Sequence, residues 1–203
     1  MIYQQIIDQI QALDIDSISE ERKQTLQPFI TYVKSKVKED QSIRLNFICT
    51  HNSRRSHLSQ IWAQTMAAFY NIDKVTCYSG GTEATAMFPK VGETLEAQGF
   101  NITKLSDGSN PIYSVKYANN DTPIIAFSKE FSDSFNPTSA FAAIMTCSSA
   151  DEGCPFVLGS DQRITVTYDD PKISDGTPQQ SATYLARSLQ IATEMKYVFS
   201  KVI

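Results

Sequence analysis

Residues 43–203 read as an α/β fold with a central, mainly parallel sheet, and residues 1–42 as an N-terminal helical extension. Three observations carry this reading. From residue 43 onward, short β-branched and aromatic runs alternate with segments whose apolar residues recur at helical spacing. The runs Ile43–Ile48, Phe141–Thr146 and Ile164–Tyr168 each break into a polar loop, as strands do before a crossover. Just beyond those three ends stand Cys49, Cys147 and Asp169-Asp170, on the side of the sheet where such folds bind ligands. Helices on both faces would make the architecture a three-layer α/β/α sandwich, with the catalytic domain beginning at residue 43.

The elements follow in order. Tyr3, Ile6, Ile7, Ile10 and Leu13 form one helical stripe, and Leu26, Phe29, Ile30, Val33 and Val37 a second. Ser17-Ile-Ser-Glu20 has the form of a capping box for the second helix, and Pro28 predicts a break or kink in it. After the 43–48 strand, Leu58, Ile61, Trp62, Met66 and Phe69 mark a buried helix face. Lys74–Ser79 is a second strand ending in Gly80-Gly81, and Pro89 opens a helix that runs to Gln98 and stops at Gly99. Residues 112–117 and 123–127 flank Ala-Asn-Asn-Asp-Thr as a β-hairpin. Thr177-Pro178 opens a long last helix, with Leu185, Leu189, Ala192, Met195 and Phe199 expected to face inward.

Composition narrows the function classes. The chain has 203 residues, 41% hydrophobic and 20% charged, which suits a globular protein with a substantial core. Lys plus Arg is 18 against 22 for Asp plus Glu, a net charge of −4, so an electrostatically driven nucleic-acid binder is not expected. No apolar run reaches membrane-spanning length and residues 1–8 lack the marks of a secretory signal, so a cytoplasmic location is expected. There Cys49, Cys77, Cys147 and Cys154 would rest reduced, favouring reactive over structural roles. With His51 and His57 as the only histidines and no C-x-x-C pair, no metal site is expected.

The segment Cys49-Thr50-His51-Asn52-Ser53-Arg54-Arg55-Ser56 is C-x5-R-S, leaving a strand and entering a helix. Successive backbone N–H groups of a tight loop at a helix N-terminus cradle a tetrahedral oxyanion. An arginine closing the loop adds a planar, bidentate donor. A cysteine at its start then lies beneath the anion's central atom, in a field that favours its thiolate. Thiolate, oxyanion and arginine together point to nucleophilic attack at phosphorus or arsenic by Cys49, with residues 50–56 binding the oxyanion. His51 and Asn52 suit a loop with unusual backbone angles. As a general base His51 is a weak candidate, because no carboxylate stands near it in a recognisable pattern. His57 reads as a packed or solvated residue, and Cys77 as a small core residue.

This loop resembles that of the low-molecular-weight protein-tyrosine phosphatase superfamily, which includes the thioredoxin-coupled arsenate reductases. The resemblance also rests on Tyr168-Asp-Asp170-Pro171 after the last strand and Tyr78-Ser-Gly-Gly81 after the second, and it spans residues 43–203. It departs at His51, where relatives commonly have glycine. Residues 106–140 are longer than compact relatives need and are expected to cover the site or serve an interface. The resemblance implies that Asp170 protonates the departing oxygen, with Asp169 as the fallback.

Two chemistries exist in that superfamily. Cys147-Ser-Ser-Ala-Asp-Glu-Gly-Cys154-Pro155, a C-x6-C-P segment, resembles the redox segment of the arsenate reductases. It implies a relay from Cys49 to Cys147 to Cys154, with thioredoxin or another thiol as reductant and no bound cofactor. Tyrosine phosphatases place aromatic side chains after the Asp-Pro, whereas here the chain continues Lys172-Ile-Ser-Asp-Gly. Arsenate reduction is therefore the expected activity. The alternatives are a phosphomonoesterase working through a Cys49 phosphocysteine and a non-catalytic oxyanion or arsenite sensor. Self-association through residues 1–42 or the 112–127 hairpin is a further expectation.

Overall fold

The computed structural model describes residues 1–154 and 156–202. Its elements are α1 (Gln4–Ala12), α2 (Glu20–Lys38), β1 (Ile43–Cys49), α3 (Arg55–Phe69), β2 (Val75–Gly81), α4 (Pro89–Ala97) and β3 (Asn101–Lys104). There follow β4 (Tyr113–Lys116), β5 (Ile124–Ala126), β6 (Phe141–Met145), α5 (Ser148–Gly153), β7 (Ser160–Thr165) and α6 (Gln180–Ser200). The central sheet is four parallel strands in the order β2-β1-β6-β7. The α/β class and parallel sheet expected from the sequence are therefore present.

Strand β1 contributes to two cores. Ile43, Leu45 and Phe47 join a large cluster with residues of α2, α3 and α6, while Ile48 and Cys49 join a smaller one with Phe141, Met145, Cys147 and Ala150. The second face is thus covered thinly, by the short helix α5 and the chain around Phe131 rather than by long helices. Residues 1–42 share the main core: Ile6, Ile10, Leu26, Phe29 and Val33 are fully buried in it. Their apolar stripes are largely spent inside the molecule, with Val37 left exposed near the end of α2. Helix α2 is capped by Ser19, whose Oγ accepts from Arg22 N–H at 3.2 Å, two residues beyond the expected Ser17, because Ile15–Ser17 forms a 3-10 turn of its own. Pro28 is carried inside α2 without interrupting it.

Other boundaries differ where tertiary pairing outranks local pattern. Strand β7 begins at Ser160 rather than Ile164, since the ladder with β6 starts there. Residues 148–153, expected as a polar linker, form α5, with Cys147 as its N-cap. The inward face of α6 runs through Tyr184, Ile191, Met195 and Val198, and Leu185 is exposed. The expected hairpin forms as β4 and β5, joined by β3 into a separate antiparallel sheet. The outer edge of β2 is closed by side-chain amides: Gln64 bonds Val75 O and Cys77 N, Gln60 bonds Cys77 O, and Asn136 bonds Ser79 O, each at 2.9–3.1 Å. Such caps hide an edge that would otherwise template another strand. No helix among the described residues is long and apolar enough to cross a membrane.

Candidate active site

Strand β1 delivers Cys49 to the carboxyl end of the sheet, opposite Gly81 of β2, and α3 begins six residues later. Between them the chain turns tightly, with Asn52 at φ 44°, a left-handed conformation that asparagine adopts readily. Among the described residues, no backbone N–H from His51 to Ser56 donates to a protein acceptor. The loop therefore keeps its donors for a ligand. Gly81 is obligatory here for space: a Cβ would stand 2.6 Å from Thr50 O and 2.7 Å from Asn52 N, and closer still to Glu83 O.

The loop is braced from behind. Asn52 Nδ2 donates to Ser56 Oγ at 2.9 Å, and that hydroxyl lies 3.1 Å from Cys49 Sγ. Asn52 Oδ1 accepts from Lys129 N–H at 2.9 Å, and Ser128 Oγ donates to His51 O at 2.9 Å. Residues 106–140 thus hold the loop in shape from one side, a role the sequence did not single out. His57 is fully buried, its Nε2 2.9 Å from Asn52 O and its Nδ1 3.3 Å from Ser79 Oγ. Burial, with the charge of Lys129 acting in the same direction, lowers its pKa to about 3. It is a neutral packing residue.

Arg55 closes the pocket. Its Nη1 donates to Tyr168 O at 2.9 Å and its Nη2 to Asp170 Oδ2 at 2.5 Å. Asp170 also caps the turn that follows it, Oδ1 accepting from Lys172 N–H at 3.0 Å. A small pocket is lined by Cys49, His51, Ser53, Arg54, Arg55 and Asp170. Asp169 is highly exposed, pairs with Arg187 at 3.2 Å and faces an adjoining surface hollow instead. Arg54 reaches past the pocket: its guanidinium stacks 4.1 Å from the Phe88 ring centroid, Nε donates to Tyr184 OH at 2.6 Å and Nη2 to Asp175 Oδ2 at 2.6 Å. Burial opposes ionisation of Asp175, but hydrogen bonds from Tyr184, Gln180 and Arg54 hold its carboxyl below the usual range. The Arg54 side chain is thus committed to tying the loop to the segment after Asp170.

The sulfurs gather at the same end. Cys147 is buried, its Sγ 3.4 Å from Thr50 Oγ1 and capping α5 by accepting from Ala150 N–H at 3.4 Å. Cys154, partly exposed at the far end of α5, packs against the same cluster that holds Cys49 and Cys147. All four cysteines are free thiols. Pro155, the last residue of the C-x6-C-P pattern, lies outside the described residues. Cys77 is buried in β2 and its thiol pKa is pushed up by burial, as an inert core residue requires. The residue that sequence reasoning missed is Glu83, whose Oε1 lies 3.0 Å from His51 Nε2 at the pocket mouth. Thirty-odd residues separate them in sequence, and no pattern linked the two.

The parallel sheet with a C-x5-R-S loop at its carboxyl end and an Asp-Pro segment across from it defines the low-molecular-weight phosphatase class of α/β proteins. Within that class the chain belongs to the arsenate reductase family. It is 30% identical over 125 residues to the arsenate reductases of two Staphylococcus epidermidis strains, ATCC 35984 and ATCC 12228, a match covering 62% of this chain and 76% of theirs. No family model matches the chain. The fold is similar to that of a low-molecular-weight phosphotyrosine phosphatase from Vibrio cholerae, with a TM-score of 0.52 at 12% identity, over 78% of this chain and 95% of that one. A YwlE mutant from Bacillus subtilis superposes with a TM-score of 0.53 at 14% identity, over 78% of this chain and 97% of that one.

Proposed function

We propose that this protein reduces arsenate to arsenite through Cys49, Cys147 and Cys154, in the reducing cytosol, and that a thioredoxin-like dithiol protein regenerates it. Arsenate enters the cradle of residues 50–56 and displaces Asp170 from Arg55. The Cys49 thiolate attacks arsenic, an S–As bond forms, and the departing oxygen leaves as water with a proton from Asp170. Cys147 then attacks Cys49 Sγ: an S–S bond forms, the S–As bond breaks, and its electron pair stays on arsenic, now trivalent. Cys154 attacks Cys147 in turn, freeing Cys49 and leaving a Cys147–Cys154 disulfide for the external dithiol. Two thiols are oxidised and one arsenic is reduced by two electrons, so the cycle balances.

The observation that carries this reading is the position of Cys147, with its Sγ 3.4 Å from Thr50 Oγ1, in one cluster with Cys49 and Cys154. Thiol–disulfide exchange needs sulfurs that can reach contact, and a phosphatase has no use for two further thiols there. The phosphomonoesterase alternative shares the first step, and Asp170 at the pocket would serve an ester equally well. It differs in releasing the adduct to water.

Cys147→Ser and Cys154→Ser separate the two. Both are expected to abolish dithiol-coupled arsenate reduction while leaving aryl-phosphate hydrolysis largely intact. After one arsenate addition, peptide mapping should find Cys147–Cys154 in the wild type and Cys49–Cys147 in Cys154→Ser. Coupled turnover surviving both substitutions would remove the relay and leave the phosphatase.

A further inference from the structure

We infer that His51, oriented by Glu83, donates the proton that arsenite needs as it leaves Cys49; this rests on the reductase reading above. His51 lines the pocket together with Cys49, Arg55 and Asp170. Its Nε2 lies 3.0 Å from Glu83 Oε1, and among the described residues its Nδ1 has no partner. The pair is held in register by main-chain and hydroxyl contacts rather than by its own attraction. Thr82 N–H donates to Cys49 O at 3.1 Å, Glu83 N–H to Thr50 O at 3.0 Å, and Thr85 Oγ1 to His51 O at 3.1 Å. The chain after β2 is therefore laced to the loop on both sides of Glu83. A carboxylate fixing one nitrogen of an imidazole that lines the pocket leaves the other nitrogen free to hold or pass a proton.

The reaction has two proton demands and Asp170 answers the first. It gives its proton to the oxygen lost when the S–As bond forms. The second step needs more. Where the Cys49 adduct carries one hydroxyl and a single negative charge on its arsenic oxygens, expulsion by the Cys147 thiolate releases a singly protonated arsenite dianion. Neutral arsenous acid then requires two further protons. Ionisation of the Cys147 thiol supplies one. The imidazolium of His51 supplies the other and is refilled from solvent, which it reaches because its side chain is nearly half exposed. The charged and titratable groups around the ring are Glu83 from the chain after β2, with Cys49, Arg54, Arg55 and Asp170 around the pocket; Thr85 and Ser128, which hold its carbonyl, are uncharged.

An exposed His–Glu pair adds little to stability, so removing it is not expected to unfold the protein. The test uses the reduced full-length chain in a single turnover with arsenate and no external reductant, following the Cys49–arsenic adduct by quenched mass spectrometry and arsenite release separately. In His51→Gln, arsenite release is expected to slow about 10²-fold at pH 7 and to recover as pH falls, with a much smaller effect on adduct formation. Glu83→Gln should show a smaller loss in the same step, with the pH dependence of release displaced. Release at the wild-type rate in His51→Gln, or equal slowing of both steps, overturns the inference and leaves the reductase intact. Wild-type protein that forms the adduct but no arsenite overturns the reductase reading and this role with it.

Discussion

Arg55 and Asp170 are paired across the mouth of the loop, Nη2 to Oδ2 at 2.5 Å, with the second arm of the guanidinium on Tyr168 O. The guanidinium proposed to hold the oxyanion is thus occupied by the carboxylate proposed as the acid. On the proposed mechanism, an entering oxyanion replaces one negative partner with another, and in doing so frees the carboxyl to take up and deliver a proton. Binding and activation of the acid would then be one event.

Removing that competition should split affinity from rate. Asp170→Asn is expected to bind phosphate or arsenate several-fold more tightly, because Arg55 loses its internal counter-ion. It should lower kcat by about 10²–10⁴-fold for poor leaving groups, the usual worth of a general acid. Isothermal titration with phosphate, beside aryl phosphates of graded leaving-group pKa, reads both. Weaker anion binding in this variant would mean that Asp170 does not compete for Arg55.

Cys49→Ser should abolish turnover with either substrate while retaining oxyanion binding, since a serine hydroxyl is not ionised at neutral pH. Arg55→Lys should also be severe, because an ammonium offers no planar fork to replace the two directed bonds of Arg55. Steady-state kinetics with phosphate as competitive inhibitor separates lost chemistry from lost binding. Near-normal kcat in either variant contradicts the assignment.

Gly81→Ala tests the floor of the loop. The new methyl would fall within 2.7 Å of Thr50 O and Asn52 N, both backbone atoms with nowhere to go. Strain of this kind costs about 1–3 kcal/mol and should displace the loop. Thermal unfolding should show the loss of stability, and anion protection against thiol alkylation should weaken with it. Gly153→Ala, with open space around its Cβ, serves as the control.

His57 predicts an acid limb of stability. Its pKa is lowered to about 3 in the folded protein, against an ordinary value near 6.5 when unfolded. Between these values the unfolded state binds the extra proton, so stability rises with pH, and it is lost as pH falls from about 6.5 towards 3. The slope from this group approaches about 1.4 kcal/mol per pH unit. Urea titrations across this window should be flatter in His57→Gln than in the wild type. An unchanged slope would show that His57 is not held neutral.

Much of this was legible in the chain itself, for a physical reason. The C-x5-R-S loop, the strand before it and the helix after it are set by local geometry: a cysteine and an arginine six residues apart can share one anion only if the backbone between them curls. Alternating strand and helix patterns likewise report burial on one face at a time, so the parallel sheet and the approach of Cys49, Cys147 and Asp170 to one edge follow from order alone. What distance in sequence hides is which side chain answers another. Only the tertiary structure brought Glu83 to His51, turned the Arg54 guanidinium away to Tyr184 and Asp175, and set Ser128 and Lys129 beneath the loop. It also drew residues 1–42 into the shared core and made a helix of the segment between Cys147 and Cys154. Each of those outcomes depends on long-range packing that no local propensity encodes, since charge, hydroxyl and ring partners are chosen by what the folded sheet places within reach.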